Sequence, residues 1–416
     1  MILAMVTGAW GGCSRTDLET PDARPPLRSG DGAVGAPDGS PPDGADASVP
    51  APLCIPVPPE GGPVRASISL PVALAVVDLM FLLDATGSMA DEIDNVRSRL
   101  RSLVVPGVRE SIPDAAFGLA LFGEFPVEPH GPPDVQPYWL RTPITRDPLQ
   151  VEAALERVPE WGNYDEPEAQ VEALYQVATG RGLSPWIEPS LGCPGGGSGG
   201  ACFRRDALPV VMLITDAPFH DGPPGVAPES SYELSPAPRA YPEAVAALRE
   251  LGALVIGLGA TDAGRLSPLP HLRVLARDTG AVADGEPMAF DIGGSGTAVG
   301  VEVVRAVEQL ASGVPLDVFA EVEDEPGDAF DARERVVAVH AVSASPAGGA
   351  QAVLEDHFQG VRPGTEVTFE IEVTAEGVDP GGSTLHIPAR VVFRASGGTR
   401  IGAQPVDIVI GAGGSC

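Results

Sequence analysis

The stretch that decides the fold runs from Ala73 to Ser88 and reads ALAVVDLMFLLDATGS. From Ala73 to Leu83 it is apolar except at Asp78. A continuous run of this kind predicts a strand buried on both faces of a parallel sheet. The longer apolar run from Ile68 to Leu83 is too short to cross a bilayer, and Pro71 and Asp78 interrupt it. The run ends in Asp84-Ala85-Thr86-Gly87-Ser88. Three oxygen-bearing side chains at alternate positions on a tight strand-to-helix turn can point into one concavity, and hard divalent cations prefer such ligands. The plainer reading of the same residues is a helix cap.

Outward from that strand, helical and strand patterns alternate as far as about Ser312. Ala90–Val104 has helical spacing, Phe117–Phe122 reads as a strand, and Pro148–Val158 and Pro167–Thr179 read as helices entered through a proline. Leu208–Ile214 is a second apolar strand, Pro242–Leu251 a helix, Ala253–Leu258 a strand, and Leu269–Thr279 and Thr297–Ala311 further helices. This predicts a doubly wound α/β domain over residues 73–312, with ligands at the carboxyl ends of its strands. After Gly313 the segments Leu316–Val322, Arg335–Val342, Glu366–Thr374, Thr384–Arg394 and Pro405–Ile410 are short, β-branched and separated by Gly and Pro, which predicts an all-β sandwich over residues 313–416. If residues 53–72 donate strands to that sandwich, the α/β domain is an insertion within it.

The chain has 57 Asp and Glu against 26 basic residues, every one an Arg, for a formal charge of −31. The absence of Lys excludes a P-loop NTPase, a protein kinase and Schiff-base chemistry. The acidity argues against nucleic acid, whose phosphates need a basic footprint. It favours cations.

Two further segments belong with Asp84, Thr86 and Ser88. The strand Leu208–Ile214 ends in Thr215-Asp216-Ala217, and in a doubly wound sheet both strand ends can face one crevice. Between them lies Asn163-Tyr164-Asp165-Glu166-Pro167-Glu168, with three carboxylates in six residues. Complementing a helix dipole explains Glu168 but not the Asn and Asp before it.

Together these residues resemble the von Willebrand factor type A family, and within it the integrin β-subunit branch. Asp84, Thr86, Ser88 and Asp216 match the metal-ion-dependent adhesion site. The branch is told by N-x-D-x-P-E at Asn163, Asp165, Pro167 and Glu168, where most type A domains supply a Thr. Phe122-Gly123-Glu124-Phe125-Pro126, Arg205-Asp206-Ala207 and His220 are similar as well. The resemblance implies Mg²⁺ or Mn²⁺ at a central site of Asp84, Thr86, Ser88, Glu168 and Asp216. It implies Ca²⁺ at a second site of Glu124, Asn163, Asp165, the Pro167 carbonyl and Glu168, and at a third of Asp91 and Glu92. Glu92 replaces the Asp usual there. A central ion held largely by hydroxyls and water stays under-neutralised, so the implied partner is a protein presenting an Asp or Glu. The sandwich resembles the integrin hybrid domain in architecture.

The apolar start Met1–Gly12 followed by Cys13 resembles a lipoprotein signal (residues 1–13), so Cys13 is the expected lipidation site and residues 14–52 a disordered Pro/Gly/Asp-rich tether. That implies a chain secreted across the inner membrane and anchored in the cell envelope by lipid alone; the acidity and the missing Lys imply no nucleic-acid or nucleotide partner. The remaining four cysteines are even in number, as in an oxidising compartment. Cys193–Cys202 can pair locally, and Cys54–Cys416 would close the two ends of the sandwich, although four cysteines allow three connectivities.

Three functions compete on these residues. The first is a cation-dependent adhesion module without enzyme activity. The second is a calcium-stapled structural module, and the third a metal-dependent hydrolase with His220 as base. No H-E-x-x-H motif supports the third, G-x-S-x-G occurs only within the glycine run Gly196-Gly197-Ser198-Gly199-Gly200, and a loop-packing role for His220 is preferred.

Overall fold

A computed structural model describes residues 51–326 and 330–411. The expected signal with Cys13, the expected tether up to residue 50 and Cys416 lie outside the described residues. Among those described, no helix is long and apolar enough to cross a membrane.

The apolar run does form a central strand. Strand β3 (Val76–Asp84) follows β1 (Leu53–Val57) and β2 (Val64–Pro71) in the chain. With β4 (Asp114–Phe122), β5 (Trp139–Thr145), β6 (Leu208–Thr215), β7 (Leu254–Gly259) and the short strand Ala289–Asp291 it builds a six-stranded sheet. The order is 289–291, β7, β6, β3, β4, β5, parallel throughout except that β5 runs antiparallel to β4. Alternate side chains of β3 enter two separate cores. Leu79, Phe81 and Leu83 pack with α1 (Ala90–Arg99), α2 (Val105–Ser111), α3 (Pro148–Leu155) and α7 (Val299–Gly313). Met80 and Leu82 pack with α4 (Gln170–Thr179), α5 (Tyr241–Leu251) and α6 (Leu269–Thr279). Each such fully buried side chain stabilises the fold by about 1.5–3 kcal/mol, which is why apolar residues fill both faces of the strand.

Three local outcomes differ from the reading of the sequence. The expected helix Ala90–Val104 is broken by a π-helical turn at Leu100–Val104, and α2 restarts with Pro106 near its N-terminus, where the missing N–H is harmless. Strand β5 was not expected; Pro143 is tolerated because β5 is an edge strand. Helix α4 begins at Gln170 rather than Pro167 because Glu168 is engaged elsewhere: its N–H donates to Pro218 O (3.1 Å) and its carbonyl accepts from His220 N (3.0 Å).

The remaining strands form two sheets around a third core that includes Ile55, Ile68, Phe358, Phe369 and Phe393. In one sheet β1 pairs in parallel with Arg400–Ile410, which pairs with Leu385–Ala395 and then Leu316–Asp324 and His357–Val361. In the other, β2 pairs along its whole length with Glu366–Val373, flanked by Val336–Ser345. Strands on both sides of the parallel sheet in sequence thus share these two sheets. Cys193 and Cys202 form a disulfide, and Cys54 on β1 is disulfide-bonded.

Candidate metal centre

Sheet register assembles the centre. Leu83 is level with Ile214 and Asp84 with Phe122, so the first residues beyond β3, β6 and β4 emerge in one row. Backbone hydrogen bonds then tie the connecting loops together. Gly87 N donates to Trp161 O (2.8 Å), Trp161 N to Ala85 O (2.9 Å), and Ala169 N to Gly123 O (3.0 Å). These bonds, with that of Glu168 N to Pro218 O, hold together the loops that carry Asp84, Thr86, Ser88, Glu124, Glu168 and Asp216 without relying on their side chains.

The five residues expected at the central site are brought together. Asp84 Oδ1 accepts from Thr86 N (3.0 Å) and Thr86 Oγ1 (2.7 Å), and its Oδ2 accepts from Thr215 Oγ1 (2.7 Å). Thr86 Oγ1 lies 3.2 Å from Ser88 Oγ, which donates to Asp216 Oδ1 at 3.2 Å. Glu168 Oε1 accepts from Asn163 Nδ2 (2.6 Å), while Oε2 is buried with no hydrogen-bond partner. Asp84, Thr86 and Glu168 are each 0% exposed, whereas Ser88 lies at the surface, so the group has a buried floor and an open rim.

Burying this much like charge has a clear electrostatic signature. Burial and the neighbouring Asp216 push Asp84 up to about 7. Burial, with Asp84, Glu124 and Asp216 nearby, holds Glu168 well above the ordinary carboxylate range. Asp216 is raised by burial, against the lowering effect of Arg265. Buried carboxylates that repel one another, one with an orphaned oxygen, form a donor set that a divalent cation satisfies. Asp84, Thr86, Ser88, Glu168 and Asp216 therefore fit a hard cation.

The residues expected at the second site are placed differently from a set of free oxygens. Glu124, 0% exposed, accepts from Tyr232 OH at 2.6 and 2.8 Å and from Phe125 N. Asp165 Oδ2 accepts from His130 Nδ1 and His220 Nε2, both at 3.0 Å. Burial works against it, yet these two imidazole hydrogen bonds hold Asp165 below its usual value. Asn163 Nδ2 also donates to Asp165 O at 2.8 Å. Neither side-chain nor carbonyl contacts single out Pro167.

At the third set, Asp91 is exposed and Glu92 is 1% exposed with Oε2 unpartnered. Burial, then Asp216, Asp91 and Asp262, push Glu92 up to about 7. The loop over it passes at Gly296, where an added Cβ would come within 2.8 Å of Glu92 Cα, so only glycine allows that approach at φ +57°.

Several residues at the centre were not anticipated: His130, Tyr232, Asp262 and Arg265. Each arrives from a Pro- or Gly-punctuated loop with no spacing that links it to the DATGS turn. Arg265 bears most directly on the central group. Its Nη1 pairs with Asp216 Oδ2, and its Nε lies 3.9 Å from Glu166. The guanidinium supplies local positive charge that a cation would otherwise bring. Arg265→Ala is predicted to tighten Mg²⁺ binding several-fold by freeing Asp216 Oδ2. Titration calorimetry of the variant checks this, and weaker or equal affinity would show that Arg265 does not compete.

No protein-family model matches the chain, and no curated protein sequence is similar to it. Among solved structures it is weakly similar to proximal thread matrix protein 1 from the mussel byssus, with TM-score 0.35 and 14% identity over 62% of this chain and 51% of that one. A pilus adhesin, SpaC from Lactobacillus rhamnosus GG in its open conformation, aligns with TM-score 0.33 and 12% identity over 84% of this chain and 46% of that one. The SpRpn10 VWA domain aligns with TM-score 0.33 and 12% identity over 55% of this chain and 94% of that one. The chain spans about half the length of the byssus protein and of the adhesin.

Proposed function

We propose that the protein is a divalent-cation-dependent protein-binding module of the von Willebrand factor type A kind, closest in its motifs to the integrin β-subunit branch and carried as an insert in a hybrid-like sandwich. In this reading Asp84, Thr86, Ser88, Glu168 and Asp216 hold Mg²⁺ or Mn²⁺, with Ca²⁺ at the adjacent sets, and Cys13 anchors the chain in the cell envelope. The observation that carries the reading is the buried carboxylate group with the orphaned Glu168 Oε2, opening to the surface at Ser88. Bound there, a cation supplies Lewis acidity toward an external carboxylate. The chain's own part is to hold the hydroxyls and carboxylates fixed through the loop-to-loop backbone bonds. The partner recognised is a protein offering an Asp or Glu at that rim.

His220 is packed within its loop, its Nε2 meeting Asp165 and its Nδ1 meeting Ser230 Oγ at 2.8 Å, which supports the loop-packing role over that of a base acting on the central group. The test is capture of envelope surface proteins by the immobilised chain in Mg²⁺, in chelator, and as the Ser88→Ala variant. Capture is expected only for the wild type in Mg²⁺. A partner retained under all three conditions refutes cation-mediated recognition. A cation-dependent rise in stability without cation-dependent capture would favour the calcium-stapled structural module instead. Detergent partitioning of wild type and Cys13→Ala tests the anchor, and equal solubility refutes it.

A further inference from the structure

We infer that His130, Asp165 and His220 form a second, chemically distinct metal site, selective for a borderline transition-metal ion such as Zn²⁺ rather than for Ca²⁺. One ligand atom from each, Nδ1 of His130, a carboxylate oxygen of Asp165 and Nε2 of His220, lie within 4.8 Å of one another. Both imidazoles meet the same oxygen, Asp165 Oδ2, at 3.0 Å. A tetrahedral zinc with bonds near 2.0–2.1 Å sets ligand-to-ligand edges of about 3.3 Å, so these two contacts need a small expansion while the third edge, which lies within 4.8 Å, closes onto the ion.

The surroundings suit a metal better than they suit a simple hydrogen-bonded cluster. His130 and His220 are 8% and 2% exposed, and their rings stand edge to face with centroids 5.0 Å apart. Tyr232 packs on both, fixing the ring planes. Asp165 Oδ1 is buried without a partner, which leaves a carboxylate oxygen unspent beside the two nitrogens. Ser230 Oγ, 2.8 Å from His220 Nδ1, is the outer group that orients a metal-binding imidazole through its far nitrogen. Glu124 Oε2, 3.5 Å from His220 Nε2, places a further carboxyl oxygen next to the site.

The choice of metal follows from the donors. Calcium takes oxygen ligands, six to eight of them, and imidazole is a poor substitute. Two imidazoles and a carboxylate suit zinc and its neighbours. The calcium reading of the second set uses Asp165 and Glu124 as well, so the two assignments compete for the same carboxylates. None of Asp84, Thr86, Ser88 or Asp216 takes part, so this inference stands or falls apart from the central site.

The experiment is zinc uptake by the full, untagged chain, dialysed against Zn²⁺ in excess Mg²⁺ and Ca²⁺ and read by elemental analysis and titration calorimetry. One tightly held equivalent is expected. Both His130→Ala and His220→Ala should lose it, and Ser230→Ala should weaken it about 10-fold, as loss of an outer-sphere partner does. Ser88→Ala should keep it, which separates this site from the central one. Circular dichroism checks each variant; should His220→Ala fail to fold, His130→Ala, nearer the surface, carries the test. Co²⁺ in place of zinc should show the intense visible bands of a low-coordinate nitrogen-containing site. Zinc uptake that survives both histidine substitutions overturns the proposal, as does displacement of zinc by equimolar Ca²⁺ or a weak, six-oxygen Co²⁺ spectrum.

Discussion

Stripping divalent cations from the protein at pH 8 is expected to lower its thermal midpoint, and acidifying the stripped protein toward pH 5 to recover part of the loss. Asp84 and Glu92 are both pushed up to about 7, chiefly by burial, and Glu168 is raised well beyond the ordinary range. Each therefore binds its proton more tightly folded than unfolded. Between about 4 and 7 the folded state holds the extra protons, so stability falls as pH rises through that window. Above it the charges stand unneutralised unless a cation is present. Mg²⁺ at 100 times its Kd adds about 2.7 kcal/mol for one site. For a domain of some 150–250 residues that moves the midpoint by roughly 5–10 °C. Glu168→Gln keeps the shape and removes one buried charge. It should raise the midpoint in chelator and abolish the Mg²⁺ increment. A wild-type midpoint that neither Mg²⁺ nor acid changes would rule out a cation at this cluster.

The second large effect lies at the opposite, amino-terminal edge of the sheet. Asp78 interrupts the apolar run of β3 and is 0% exposed. Arg204 answers it: Nε meets Asp78 Oδ1 at 2.6 Å, and the backbone N donates to Asp78 Oδ2 at 2.6 Å. The same guanidinium bonds Asp114 Oδ1 (2.6 Å) and the Val77 and Asp114 carbonyls (3.0 Å each). One side chain thus clamps the first turns of β3 and β4. Arg204→Met strands a buried carboxylate and is expected to destabilise the protein by about 3–5 kcal/mol, the usual cost of removing one partner of a buried pair. Denaturant unfolding measures it. Adding Asp78→Leu should recover most of the loss, because an apolar pair avoids the desolvation cost. If Arg204→Met unfolds at the wild-type denaturant concentration, the clamp contributes nothing.

Reading outward from Ala73–Ser88 located the strands of both sheet systems well where apolar content was high. Leu269–Thr279 occurs as a helix with the expected ends, and Glu366–Thr374 as a strand ending one residue earlier. The misses have identifiable causes. Helical periodicity over Ala90–Val104 is continuous, so nothing in the pattern marked the π turn; Pro106 just beyond it was the available signal. Glu168 sits in a helix-like Pro-Glu-Ala-Gln context, yet backbone pairing to Pro218 and His220 overrides that local preference.

The carboxylates of the candidate centre were legible because oxygen donors cluster at fixed spacings on two strand ends and one loop. The side chains that qualify them were not. Arg265 on Asp216, Tyr232 on Glu124, and His130 with His220 on Asp165 come from loops far away in sequence. Such loops carry no periodicity, so only the folded chain brings their tips together.

By itself, then, the sequence determined the buried parallel strands, the clustering of acidic residues beside their ends and the absence of any lysine-dependent chemistry, because hydrophobic period and residue type are local properties. The tertiary structure alone decided three things. It put strand ends from Asp84, Phe122 and Ile214 in one row through inter-strand register. It joined β1 and β2 to strands more than 290 residues away, as the Ser69–Thr368 contact shows. And it surrounded Asp165 with two imidazoles instead of oxygens. Each is a long-range pairing, fixed by burial and hydrogen bonding across the fold and by no interval along the chain.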